Sequence, residues 1–245
     1  MKRDIPFWKL IIEDFKTIKK NDPALKSNFE IFFNYPGVWA LFFYRISHAL
    51  YKRGFRFLPR LISAIGQFLT AVDIHPGAKL GRRVFIDHAT GVVIGETAEV
   101  GDDVLIYQQV TLGGVSLSKG KRHPTIKDRV IIGAGAKILG NITIGEDAKI
   151  GANSVVIKDV PPECTAVGVP AKVAKRIDNK APLSHNIMPD IDKKLFEYLI
   201  KRIALIEHTL KSGDLENMEK SDHELEEIYK SFIKAMLDDK EGVKS

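Results

Sequence analysis

His88 follows Asp87 in the stretch IDHATGVVIGET, and Asp73 precedes both in AVDIHPG. An aspartate that accepts the proton of one imidazole nitrogen orients the ring and stabilises the imidazolium, which leaves the other nitrogen as a base. A second pair, Arg122 and His123, lies in KGKRHPT. The guanidinium there suits a carboxylate, because its planar fork donates two parallel hydrogen bonds. One site could therefore combine a base with an anion clamp. Taken singly, an Asp-His pair is more often structural, and KGKRHP would pass as a solvated basic loop. His75, His88 and His123 could also converge on zinc if neighbouring chains supplied ligands, so spacing alone leaves a metal open.

These residues must be held by a repeat. Aliphatic side chains fall every six positions at Ile74, Leu80 and Ile86, then at Ile94, Val100, Ile106 and Leu112, then from Ile126 by the same step to Val156. Glycine follows the aliphatic at positions 81, 95, 101, 113, 133, 145 and 151. A helical period of 3.6 cannot keep a six-residue repeat on one face, and a plain strand alternates every two. Six fits a solenoid of short strands and tight turns with each aliphatic pointing inward. The beat slips twice. Two residues are added between Ile86 and Ile94, beside Asp87 and His88. Leu112 to Ile126 spans fourteen residues, two hexads plus two, and contains GGVSLSKGKRHPT, a protruding loop by composition. Insertions in a solenoid gather on a binding face, so both chemistries sit where the repeat breaks. In a coil of eighteen residues Asp73 and His88 do not stack vertically, but a corner or a subunit interface can bring them together.

The flanking territories read as helices, which gives an α+β chain of three parts: residues 1–72, 73–177 and 178–245. Trp8, Ile11, Ile12 and Phe15 recur at helical spacing, NDPA reads as an aspartate N-cap with proline at the first helical position, and further helices follow Pro36 and Pro59. Their aromatics are expected in the core. After Pro182, Phe196, Leu199, Ile203, Ile206 and Leu210 form a heptad seam that Leu225, Ile228, Phe232 and Ala235 repeat, as in a helical hairpin or a short bundle. The 245 residues carry a net charge of +6, but Lys and Arg are scattered, so neither a nucleic acid nor a membrane surface is expected as partner. Cys164 is the single cysteine, expected as a small apolar packing residue, and no intrachain disulfide can form. The N-terminus is unlike a signal peptide, and the apolar runs are too short to cross a bilayer, so a cytoplasmic protein is expected.

AVDIHPGAKLG, IDHATGVVIGETAEVG, VTLGG, KRHPTI, VIIGAGAKILGNITIG, AKIGANSVV and AVGVPAK, in this order over roughly residues 20–177, closely resemble the bacterial serine O-acetyltransferases. The resemblance implies a left-handed parallel β-helix, assembled as a homotrimer with active sites between subunits, which transfers acetyl from acetyl-CoA to L-serine. It implies His88 as general base with Asp73 holding its imidazole, Asp87 and Asp22 receiving the substrate ammonium, Arg122 and His123 its carboxylate, and Glu96 supporting the pocket. Acetyl-CoA would lie along the solenoid near Gly114, Ala134, Gly135 and Ala152, with Lys137, Lys172 and Lys175 for its phosphates. Direct attack without an acyl-enzyme or a metal is expected, and cysteine, which mimics serine, is expected as a feedback inhibitor. Many members join two trimers into a hexamer through a longer helical N-terminus than the twenty or so residues that precede NDPA here. The ending EGVKS lacks the terminal isoleucine with which some members engage cysteine synthase, so that partnership is not expected. Other readings are an acetyltransferase for a sugar hydroxyl, which would not need the two clamps, a zinc carbonic anhydrase, which would hold metal, and an inactive scaffold, which would not bind CoA.

Overall fold

The computed structural model describes residues 6–27, 29–174, 199–204 and 206. The chain divides into two compact units, Met1–Met188 and Pro189–Ser245. In the second, residues 199–204 and 206 are helical, with Leu199, Ile203 and Ile206 exposed. The other heptad positions, Phe196, Leu210 and those from Leu225 to Ala235, lie outside the described residues.

The first unit opens with α1 (Phe7–Asn21), α2 (Glu30–Asn34), α3 (Pro36–Lys52) and α4 (Phe57–Thr70). Short strands follow: β1 (Asp73–Ile74), β2 (Lys79–Leu80), β3 (Phe85–Ile86), β4 (Val93–Ile94), β5 (Glu99–Val100), β6 (Leu105–Ile106), β7 (Thr111–Gly113), β8 (Thr125–Ile126), β9 (Ile131–Ile132), β10 (Lys137–Leu139), β11 (Thr143–Ile144), β12 (Lys149–Ile150) and β13 (Val155–Val156). The antiparallel pair β14 (Thr165–Gly168) and β15 (Ala171–Ala174) closes the described part of the unit.

Every third strand stacks on the last. The first face is β1-β4-β7-β10-β13, the second β2-β5-β8-β11, and the third β3-β6-β9-β12-β14-β15. The result is a parallel solenoid of triangular section. Lys137 pairs with Val155 and Val93 with Thr111, which is the eighteen-residue coil that a six-residue beat demands. The aliphatic of each beat points inward, and Ile94, Ile106, Leu112, Ile126, Ile132, Ile138, Ile144 and Ile150 are fully buried. Cys164 packs against this core from the side, half-buried.

Register locates the two slips. Asp73 pairs with Val93, so the first coil holds two extra residues, and Glu99 pairs with Thr125, so a later one holds eight. The long segment between β7 and β8 therefore crosses one corner, from the first face to the second, and contains no further hexad. Counting beats alone misreads it, because the loop has no strand of its own to mark a face.

The helices are clamped to the solenoid by α3. Arg45 and Asp14 are 5% and 3% exposed, and the Arg45 Nε donates to Asp14 Oδ2 at 3.0 Å while its terminal nitrogens donate to the carbonyls of Leu80 and Gly81. Tyr44 donates to Ala78 O at 2.8 Å and accepts from the Leu80 N–H. Gly37 lets the start of α3 lie against β3, since a Cβ there would stand 2.2 Å from the Ile86 carbonyl oxygen. Two expectations are corrected. NDPA does not cap a helix: α1 ends at Asn21, Asp22 is its C-cap, and the next segment is a turn. Nor are most of the helical aromatics core. Trp8, Phe29, Phe33, Phe57 and Phe68 are at least 70% exposed in the single chain, because their side of the helices faces away from the solenoid.

Removing one partner of a buried ion pair strands the other charge, at a cost of about 3–5 kcal/mol. Asp14→Ala is therefore expected to lower the unfolding free energy measured by urea titration by that amount, whereas Lys79→Ala, at the exposed Lys79–Glu99 pair, should cost under about 1 kcal/mol.

Candidate active site

His88 lies on the corner between β3 and β4, where the chain passes from the third face to the first. His88 and Ala89 have φ of 55° and 46°, two consecutive left-handed residues that are not glycine. Gly91, at φ 77°, then resumes the turn. Ala89 is fully buried among the solenoid aliphatics and pins the bulge, while His88 is turned outward and exposed. Asp87 Oδ1 accepts the His88 N–H at 3.0 Å.

Two carboxylates share this locality. Asp22 Oδ1 accepts the Ala24 N–H at 2.7 Å, an Asx turn, and its Oδ2 accepts the Tyr35 hydroxyl. Burial pushes the Tyr35 phenol up to about 12, with further upward pushes from the Asp22 hydrogen bond and from the fields of Asp22, Glu30 and Asp87. Burial, and then Asp87, also raises Tyr107. Asp22 and Asp87 thus lie within the electrostatic reach of one phenol. Asp73 lies on β1, paired through its backbone to β4, and among the described residues no hydrogen bond joins its carboxylate to the His88 ring.

The second cluster occupies the other end of the first face, on its edge with the second. Glu96 and Thr97 sit in the corner between β4 and β5, and the long loop returns Arg122 and His123 to them. Arg122 Nη2 donates to Glu96 Oε2 at 2.6 Å, which holds the Glu96 carboxyl below the usual range. Tyr51 of α3 reaches the other Glu96 oxygen at 3.5 Å. Glu96 and Arg122 line a recess of about 340 Å³ with Ser116, Leu117, Ser118 and Lys119. His123 is 8% exposed, and its ring lies over Gly95, where a Cβ would stand 2.1 Å from Nε2. Burial, reinforced by Arg122, holds the His123 imidazole below its usual value.

The residues expected for CoA divide in the same way. Ala134, Gly135 and Ala152 fall on successive corners of the third–first edge, two coils and more beyond His88. Lys137 donates to the Gln109 carbonyl on that edge. Gly114 belongs to the Arg122 cluster, close to His123 Nε2. Lys172 is on the β14–β15 hairpin, and Lys175 lies outside the described residues. Among the described residues no group of three His, Cys, Asp or Glu side chains is placed to hold a metal ion, and no helix there is long and apolar enough to cross a membrane. Tyr35, Tyr51, Tyr107 and Thr97 were not singled out by sequence, since none follows a period or stands in a spacing of its own.

A triangular solenoid of six-residue beats with its reactive side chains on the corners is the architecture of the hexapeptide-repeat transferases, and residues 123–158 match the family model "Bacterial transferase hexapeptide (six repeats)". The serine acetyltransferase of Synechococcus elongatus is 49% identical over 85% of this chain and 86% of its own, and that of Bacillus subtilis 51% identical over 80% and 92%. Among solved structures, soybean serine acetyltransferase complexed with serine superposes with a TM-score of 0.66 at 46% identity, over 69% of each chain. A serine acetyltransferase in complex with cysteine gives 0.67 at 43% identity, over 69% of this chain and 70% of that one. The Brucella abortus enzyme in complex with coenzyme A gives 0.65 at 43% identity, over 68% and 67%. The chain belongs to the serine acetyltransferase family, and its solenoid is the left-handed parallel β-helix expected for it.

His48, His75 and His123 are each held below the usual value of 6.5, burial being the first cause in every case. The unfolded chain therefore takes up these protons first on acidification, and folded stability is lost as pH falls from about 6.5 towards the lower folded values. Melting curves between pH 7.5 and 5.5 should show Tm falling steadily below pH 6.5. A flat Tm across that window would contradict the assignment.

Proposed function

We propose that the chain transfers the acetyl group of acetyl-CoA to the hydroxyl of L-serine, giving O-acetyl-L-serine and CoA, at sites shared between neighbouring subunits of a homotrimer. The observation that carries this reading is the division of the site residues. The base and the ammonium-binding acids occupy the third–first edge, and the carboxylate clamp occupies the first–second edge, with a whole face between them. A substrate the size of serine cannot touch both edges of one chain. When copies pack around a three-fold axis, one edge of each chain meets the other edge of its neighbour, a heterologous contact that closes as a ring.

In that cleft Asp22 and Asp87 would receive the serine ammonium, and Arg122 with His123 its carboxylate. The alcohol would then stand beside His88. A serine hydroxyl is a weak nucleophile near neutral pH, whereas a thioester carbonyl is already activated, so the missing element is proton removal during attack. His88 takes the hydroxyl proton as the oxygen adds to the carbonyl carbon, and returns it to the departing CoA sulfur when the tetrahedral intermediate collapses. Asp73 stabilises the imidazolium formed in between. The small residues Ala134, Gly135 and Ala152 would let the pantetheine lie against the main chain of the same edge, and Lys172 would meet the phosphates. The site is cytoplasmic in this reading. Cysteine, with sulfur in place of the serine oxygen, satisfies the same two clamps and would inhibit by occupying them.

The experiment is CoA thiol release by the purified protein with L-serine, L-homoserine, a galactoside or buffer alone. Release that depends on L-serine is expected, and serine-independent release would exclude the reading. His88→Ala should lose about 10² to 10⁴ in kcat while still binding CoA. Subunit sharing has its own signature: His88→Ala and Arg122→Ala, each inactive alone, should regain about a quarter of wild-type activity when reassembled as mixed trimers, since one oriented interface in four then joins two intact halves.

A further inference from the structure

We infer that Thr97 is a positioning residue, whose hydroxyl and backbone N–H fix His123 as the Nε2–H tautomer and lock Arg122 and His123 into one rigid carboxylate clamp. Every polar atom of Thr97 is engaged by three consecutive residues of the long loop. Its Oγ1 accepts the N–H of Arg122 at 3.0 Å and the N–H of His123 at 3.1 Å. Its carbonyl accepts Lys121 Nζ at 2.7 Å. With both hydroxyl lone pairs occupied, the hydroxyl proton is left to donate, and His123 Nδ1 stands 2.9 Å away. The Thr97 N–H donates to the same nitrogen at 3.2 Å.

The backbone donor decides the tautomer. A hydroxyl can rotate to give or to receive, but an amide N–H only gives, so Nδ1 carries no proton and the neutral ring bears it on Nε2. That nitrogen lies over Gly95 and close to Gly114, neither of which has a side chain to engage it. Protonating the ring would place a proton on Nδ1 against the Thr97 N–H. The charged groups that act on His123 are Arg122, Glu96 and Lys121, all from the same loop and corner. His123 is accordingly a neutral single donor, and the charge of the clamp comes from Arg122, itself braced by Glu96.

The inference rests on the serine acetyltransferase reading only for the identity of the carboxylate. The test uses the full chain with ¹⁵N-labelled histidine, the His123 signals being assigned by their loss in His123→Asn. Wild type should show Nε2 protonated and Nδ1 bare at pH 7.5, and a protonated Nδ1 overturns the assignment outright. In Thr97→Val the His123 titration should move upward by about half a pH unit or more, because one donor that favours the neutral ring is gone. The same variant should raise KM for L-serine at least about fivefold with KM for acetyl-CoA within twofold, and Thr97→Ser should restore both. An unmoved titration in Thr97→Val, or a KM effect equal for both substrates, would reduce Thr97 to a structural residue. Should serine prove not to be the substrate, the ring signals still decide the tautomer, so the two failures are distinguishable.

Discussion

The stacking of parallel coils governs everything else in this protein. Each turn of the solenoid must place its inward aliphatic above the one before and present backbone groups in register to both neighbours. Burying an isoleucine side chain is worth about 1.5–3 kcal/mol, and the beat repeats that gain along the whole wall. A non-glycine residue in the left-handed region costs about 1–3 kcal/mol. His88 and Ala89 adopt it in succession because the alternative, absorbing two extra residues within a strand, would displace the next corner and put every later coil out of step with the one before it. Extra residues can leave the wall only at a corner. The two irregular corners are where the repeat releases side chains from the wall, and both hold a histidine.

The helical region completes what the corners begin. α1, which ends beside Asp22, is anchored by the buried Asp14–Arg45 pair, by Glu13–Arg82 and by Ile18 in a core cluster, and Tyr51 reaches Glu96 from the same α3 that carries Arg45 and Tyr44. The outer side of these helices is another matter. Leu58, Leu61, Ile65, Phe68 and Leu69 recur along α4 and are all exposed, while Pro59, Ser63, Gly66 and Thr70 are the residues it buries.

How much of this could be read from the sequence depends on what leaves a periodic trace. The solenoid and both interruptions follow from a beat that any inserted residue visibly displaces, whereas Ala134, Gly135 and Ala152 are singled out only by the family resemblance. The length of the second insertion did not, because fourteen residues fit two hexads plus two as well as one hexad plus eight, and only the pairing of Glu99 with Thr125 separates them. Only the helix-cap reading of NDPA fails, since proline after aspartate suits a turn as well as a helix start, and in the turn Asp22 accepts the hydroxyl of Tyr35, thirteen residues on. Thr97 had no signal at all. A threonine in a corner is ordinary until a distant loop is seen to close on it.

The two site histidines show why residue type alone cannot assign roles. His123 is buried, its Nδ1 is filled by donors, and its remaining nitrogen carries a proton, so it can donate a hydrogen bond but cannot take a proton from an alcohol without breaking its anchor. His88 is exposed on its bulge, its backbone tied to Asp87 and its ring nitrogens without a hydrogen bond among the described residues. Of the two, only His88 presents ring nitrogens free of hydrogen bonds among the described residues, which suits it to the proposed role of base. In the proposed function, the division between base and clamp is thus set by the environment of each corner, and it follows from where the repeat was interrupted.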